Sequence, residues 1–301
     1  MFKHAVMISY LRNTFLFAAL ACFAVSAFAE KLVLGGSDVI KPYISETLKT
    51  LAAKNRFEVE TRMNGSYSAF DEMKSGATDA AIIALPKGAS IPDGYAAYPF
   101  AYQVAVVIVN SVNPIEDIST NQLYRIFSKQ TQNRAETWEQ VGVKSSAVGS
   151  ILAISTDFSD NVVVELFKYS AMKGTNLGPW VNIESNKQVI YNMVKANNSA
   201  IAIVGKLTDT NMLKVLAVSN SDGGKMGNYA FKPDANSIYN GDYPMVLPFY
   251  VVCPKDKLGK AKSLIKILLG DELAHKINAT DFYSAPADSR KKSIFELDIS
   301  K

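Results

Sequence analysis

The sequence predicts an α/β protein built as two lobes joined by two strands. Three observations carry that expectation. Residues 31–51 read as strand, Gly-rich turn and helix, the opening unit of an open α/β sheet. Two long β-rich runs, near 101–110 and 243–253, bracket the middle of the chain. The strand–helix texture restarts after Asn113-Pro114, between those runs. Two lobes, the first drawing on both chain ends, fit this pattern; a single large sheet is the alternative it also allows.

The first 29 residues read as a cleaved secretory signal. Lys3 and Arg12 supply the basic region, residues 15–25 the apolar run, and Ala27-Phe28-Ala29 a small-x-small cleavage site. A lipoprotein anchor at Cys22 is the weaker alternative, because Ala19-Leu20-Ala21-Cys22 is a poor lipobox. The protein is therefore expected to be periplasmic or secreted. The chain holds 32 Lys and Arg against 28 Asp and Glu, and two of the basic residues lie in the leader. Such a balance offers nothing for nucleic acid or an anionic membrane. Past the leader only Cys253 and His275 remain of their kinds, which excludes an intrachain disulfide and disfavours a His/Cys zinc site or a His-based triad. No cofactor and no catalytic residue is expected.

In chain order, Ile40, Ile44, Leu48 and Leu51 recur at i, i+4, i+8 and i+11, one face of a helix that Ser37 or Asp38 would cap. Residues 57–62 alternate like a half-buried strand. Asn64-Gly65-Ser66-Tyr67-Ser68 then opens a helix that stops near Gly76. Residues 79–85 read as a buried strand, followed by a Gly/Pro loop to Gly94. After Asn113-Pro114, Ser119 or Thr120 caps a helix carrying Leu123, Ile126 and Phe127. A strand is expected at 147–154, a turn from Ser155 through Ser159-Asp160-Asn161, and then a helix. A helix at 186–196, a strand at 200–204, and two terminal helices at 257–269 and 271–277 complete the pattern.

Three turns, Gly36-Ser37-Asp38, Gly65-Ser66-Tyr67-Ser68 and Ser155 to Asn161, each offer a hydroxyl and helix N-terminal amides. Facing one cleft, they would hold a small oxygen-rich ligand by converging donors. The plainer reading of each is an N-cap. Hydrolase motifs fail: Ser159-Asp160-Asn161 has no S-x-x-K before it and no K-T-G, and no G-x-S-x-G occurs. Gly223-Gly224-Lys225 is not a P-loop. The acidic pairs Glu116-Asp117 and Asp271-Glu272 read as solvated charges at helix starts.

On Gly36-Ser37 with Pro42, Asn64-Gly65-Ser66, residues 76–81, residues 104–110 with Asn113-Pro114, residues 118–127 with Trp138, and residues 243–250, the chain resembles the phosphate-binding proteins of ABC importers. These belong to the class II periplasmic solute-binding proteins. The resemblance implies a two-lobe class II periplasmic-binding-protein-like fold with two hinge strands. Lobe 1 is then residues 30–105 plus 248–301, and lobe 2 residues 106–247. It implies a monomer that binds phosphate or another small polar solute between the lobes, delivers it to an ABC permease and catalyses nothing. Ser37, Asp38, Ser66, Tyr67, Ser155, Ser159, Asp160 and Asn161 are the ligand-binding candidates. Family positions are altered: the acidic ligand falls at Ala84, the arginine at Ser155, and Asp38 and Asp160 add carboxylates. Two unit charges ~4 Å apart at an effective dielectric near 20 interact by roughly 4 kcal/mol. A carboxylate facing a phosphate would thus offset several hydrogen bonds. A binding-protein fold turned to sensing, scaffolding or interaction without transport is the alternative.

Overall fold

The computed structural model describes residues 30–157, 161–207, 210–221 and 229–299. The elements in order are β1 (Glu30–Gly36), α1 (Lys41–Lys54), β2 (Phe57–Arg62), α2 (Ser66–Ser75), β3 (Ala80–Ala84), β4 (Tyr95–Val104), β5 (Val106–Asn110), β6 (Asp117–Ser119) and α3 (Thr120–Phe127). Next come β7 (Leu152–Thr156), α4 (Asn161–Ala171), β8 (Asn182–Glu184), α5 (Lys187–Ala196), β9 (Ala200–Val204), β10 (Leu213–Val215), β11 (Ala217–Ser219) and β12 (Ala230–Phe231). The chain closes with α6 (Ala235–Asn240), β13 (Val246–Pro254), α7 (Leu258–Leu268), α8 (Asp271–Asn278), β14 (Phe282–Ser284) and α9 (Ala287–Ile299).

Two main sheets result, so the single-sheet alternative fails. One has the order β14-β4-β13-β3-β1-β2 and the other β10-β5-β9-β7-β8, with a small β12-β11-β6 sheet beside them. In the first, β2, β1 and β3 run parallel while β13 is antiparallel to both β3 and β4. In the second, β7 runs parallel to β8 and β9, and β5 antiparallel to β9. Each sheet has its own apolar core. Leu32, Leu34, Ile44, Leu48, Val251 and Leu264 are buried over one face of the first. Val107, Leu123, Phe127, Trp138, Phe167 and Ile203 are buried around the second. The predicted α1 face is buried as its period requires.

The apolar run at 101–110 is not one strand. Ala105 separates β4 from β5, and the two halves enter different sheets. The return crossing meets it there. Val104 pairs with Val246, the Ala105 amide donates to Met245 O at 3.1 Å, and Tyr243 Oη donates to Ala105 O at 2.8 Å. Complete burial lifts the Tyr243 phenol far above its ordinary range, so it stays a neutral donor.

One other local expectation shifts. The strand expected at 147–154 is displaced to β7, because the chain before it is held around Trp138: the Trp138 amide donates to Gly149 O at 3.1 Å, and Gly149 N to Ser199 Oγ at 2.9 Å. The acidic pairs are exposed as expected, with Asp271 and Glu272 in the first turn of α8, and three of the four carboxylates also meet a cation. Glu116 pairs with Lys214 at 2.7 Å, Asp271 with Arg290 at 2.9 Å and Glu272 with Lys54 at 3.1 Å. Lys214 holds the Glu116 carboxyl below its usual range. Arg290 is buried and also donates to Ala285 O and Leu269 O, so that with Asp271 it fastens α9 to the end of α7 and the start of α8. Cys253 is buried on β13, and burial pushes its thiol up to about 12, so it is an inert packing residue.

Candidate functional site

The turns after β1 and before α2 meet at one end of the first sheet. Gly36 pairs with Ile82 and adopts φ +107°, and a Cβ there would lie 2.1 Å from Ile82 O. Only glycine lets β1 pass that close to β3. Directly after it, the Ser37 amide donates to Ile82 O at 2.7 Å, and Ser37 is buried. Gly65, at φ +127°, donates its amide to Gly36 O at 2.9 Å. Ser66 Oγ accepts from the Ala84 amide at 2.9 Å. Three strand ends, those of β1, β2 and β3, are thereby drawn into one nest of backbone.

The capping expectation fails at both of these helices. The N-cap of α1 is Ile40, with Pro42 in the first turn and no side-chain cap, and Asp38 stands exposed two residues earlier. The chain makes an extra turn first, with the Lys41 amide on Asp38 O at 3.3 Å. At α2 the N-cap is Gly65, which has no side chain to cap with; Ser66 is already the first helical residue. By contrast α3, α5 and α6 are capped by Ser119, Asn186 and Asp234. Among the described residues, the amides of Asp38, Val39 and Ile40 have no carbonyl partner. Neither α1 nor α2 carries an acid in its first turn. Two helix starts with unspent donors and positive dipole ends therefore lie side by side. Because Ser66 accepts from Ala84, its hydroxyl proton is left to donate away from the sheet.

Tyr67 is 99% exposed beside Ser66. Ser68 Oγ donates to Glu72 Oε1 at 3.1 Å, within α2. Arg62 ends β2 opposite Gly35, but it is taken up by Glu60. Hydrogen bonds from Arg62 and then Lys31 hold the Glu60 carboxyl down at about 2. Here the nest's donors are amides and hydroxyls.

In the second sheet, Ser155 lies inside β7, fully buried, and its hydroxyl donates to Thr156 O at 3.0 Å. Asn161 begins α4. Ser159 and Asp160 lie outside the described residues, as do the side chain of Asn161 and the signal segment. The strand ends on either side of β7 carry two residues that sequence reading passed over, Lys206 and Lys187. Lys206 reaches the first sheet's side at Asn278 O and Phe282 O, and burial lowers its amine below the usual lysine range. Nothing in the local sequence marks it. A surface groove of about 360 Å³ lies among Leu51, Asn55, Lys266 and Asp271, and one of about 350 Å³ beside Tyr124 and Arg125. Neither touches the three turns. Among the described residues no cluster of acids, His or Cys could hold a metal ion, and no helix is long and apolar enough to cross a membrane.

Comparison with known proteins places this geometry. A family model described as the PBP superfamily domain matches residues 24–272. Protein SphX of Synechococcus elongatus is 22% identical over 248 residues, covering 78% of this chain and 72% of that protein. Among solved structures, a possible phosphate binding protein from Planctomyces limnophilus superposes with a TM-score of 0.69 at 16% identity, covering 91% of this chain and 99% of that one. PstS from Borrelia burgdorferi gives a TM-score of 0.67 at 15% identity, over 85% of this chain and 99% of that one. An ABC-type phosphate transport receptor from Vibrio cholerae gives 0.60 at 17% identity, over 84% and 99%. These likenesses show the fold. By its match across most of its length, the chain belongs to the PBP superfamily.

Proposed function

We propose that this is an exported solute-binding protein that closes two lobes around phosphate or another small oxyanion and hands it to an ABC permease. Lobe 1 comprises residues 30–105 and 248–301, lobe 2 residues 106–247, and residues 1–29 are removed on export. The protein works as a monomer and does no chemistry on its solute. The observation that carries the reading is the pair of uncapped helix starts, α1 and α2, brought together by Gly65 N on Gly36 O and Ala84 N on Ser66 Oγ. Such starts favour an anion through amides and dipole without a bound cation. Similar structures described as phosphate-binding support the same solute class. On this reading Ser37, Asp38, Ser66 and Tyr67 are the ligand residues of lobe 1 and Ser159, Asp160 and Asn161 those of lobe 2, while Ser155 is taken up inside β7.

Asp38 and Ala84 bear on which oxyanion. Asp38 is exposed and caps nothing, so it is free to turn to solvent and leave the amides behind it to the ligand. Ala84 contributes its amide hydrogen bond to Ser66 and no acceptor for a phosphate proton. That loss favours the second reading, a sensor or scaffold on the same fold, or a fully ionised ligand. A thermal-shift panel on residues 30–301 separates them. An oxyanion at about 100 times its dissociation constant should add about 2.7 kcal/mol of stability. Stabilisation by sulfate above phosphate would identify a ligand without a proton. No shift with phosphate, sulfate or related oxyanions would leave the sensor or scaffold reading.

A further inference from the structure

Two lysines on the second sheet's side reach across to one short stretch on the first. Lys206, two residues beyond β9, donates from Nζ to Asn278 O at 2.6 Å and to Phe282 O at 2.9 Å, and lies 4.6 Å from the centroid of the Tyr283 ring. Lys187, the first residue of α5, pairs with Asp281 at 2.6 Å. Their hydrogen-bond and ion-pair partners all fall in residues 278–282, from the last residue of α8 to the first of β14.

That receiving stretch is rigid. Asn278 Nδ2 donates to Ser284 Oγ and Ser284 N to Asn278 Oδ1, both at 2.9 Å, while Thr280 Oγ1 donates to Ile277 O at 2.6 Å. Its far end pairs through Phe282 with Gln103 of β4, two residues before the Ala105 crossing. The lysines are as well placed as their acceptors. β9 and β8 flank β7 in the sheet, so the two cations follow the strands on either side of it. Lys206 also meets the negative end of the α8 dipole, where a cation is favoured.

A solvent-accessible ion pair alone contributes little, and that is the plain reading of the half-buried Lys187–Asp281 pair. Lys206 is different: partly buried, it is held by charge-assisted bonds to two carbonyls and by an aromatic face. We infer that Lys187 and Lys206 form an interlobe clasp on residues 278–282 that sets the angle between the lobes and hence the affinity of the cleft. The inference rests on the two-lobe binding function proposed above and adds its control.

The test is the interlobe distance by pulsed electron spin resonance, with nitroxides on Ala77→Cys and Ser146→Cys. Both positions are exposed, and buried Cys253 escapes the label. In the absence of added ligand, Lys187→Met with Lys206→Met should lengthen and broaden the distance distribution, while Lys187→Arg keeps it. Phosphate affinity should fall on the order of tenfold, as expected when the competent arrangement becomes a minor state. An unchanged distribution in the double variant overturns the clasp. Should Lys206→Met not fold, Lys187→Asp must widen the distribution and Lys187→Asp with Asp281→Lys must restore it; failure of either step overturns it equally. Because the distance is read without ligand, a wild-type protein that binds neither phosphate, sulfate nor a related oxyanion defeats the proposed function and leaves this measurement intact.

Discussion

Gly36→Ala should destabilise the protein by about 3 kcal/mol or more and abolish stabilisation by oxyanions. The backbone at φ +107° is one an L side chain rarely adopts, and such strain alone is on the order of 1–3 kcal/mol. The added Cβ would also stand 2.1 Å from Ile82 O and 2.5 Å from Ile82 N, atoms of a paired central strand that cannot rotate away. β1 must then move off β3, losing the Ser37 N to Ile82 O bond and the Gly65 N to Gly36 O bond that place the two helix starts together. Each such bond contributes roughly 1 kcal/mol. Gly35→Ala is the control. Its Cβ would press on Thr78 Cγ2 at 2.9 Å and Glu72 Oε2 at 3.3 Å, both side-chain ends. Urea unfolding should find Gly35→Ala much the milder of the two. Equal effects would mean that the close approach of β1 to β3 is not what positions the site.

Trp138→Ala should remove about 3–5 kcal/mol of stability, the range for deleting a large buried aromatic. Trp138 is fully buried, and its indole Nε1 donates to Ser199 O at 3.0 Å. Its backbone holds the 139–149 segment through Val143 N on Trp138 O and Trp138 N on Gly149 O. The lost volume falls in the second core, and Ser199 O keeps only its bond from the Leu152 amide. Chemical unfolding should therefore show a markedly lower midpoint, and the distant first-lobe nest should be affected only through overall stability. A loss below about 1 kcal/mol would contradict the packing account.

These two residues show what the sequence disclosed and why. Trp138 and the buried residues of 118–127 carried part of the resemblance, yet they act through packing. The capping box of Ser119 with Gln122 was readable because its spacing is local. The two crossings were readable as β-branched runs. The break of the first at Ala105 was not readable from its residues, since both halves are equally apolar and its partners Tyr243 and Met245 come from far along the chain; only the boundary that the resemblance implies fell there. In the site, glycines and hydroxyls marked Gly36, Ser37 and Ser66. Whether Asp38 caps depends on where α1 starts, and a two-residue shift to Lys41 reversed the answer. Ser155 looked like the opening of a turn, but β7 runs on to Thr156 and takes it into the sheet. The Ala84 role is a backbone one that no side-chain pattern reports, and Lys187 and Lys206 acquire meaning only from the tertiary placement of residues 278–282.

The central claim is that the paired, uncapped starts of α1 and α2 hold the solute. It is tested most directly by a phosphate titration of the 15N-labelled protein, following backbone amides. Saturable shifts of Asp38, Val39, Ile40, Ser66, Tyr67 and Ser68 are the predicted result, with the α5 start capped by Asn186 unmoved. Saturable phosphate binding that leaves those six amides in place and moves others would contradict the account.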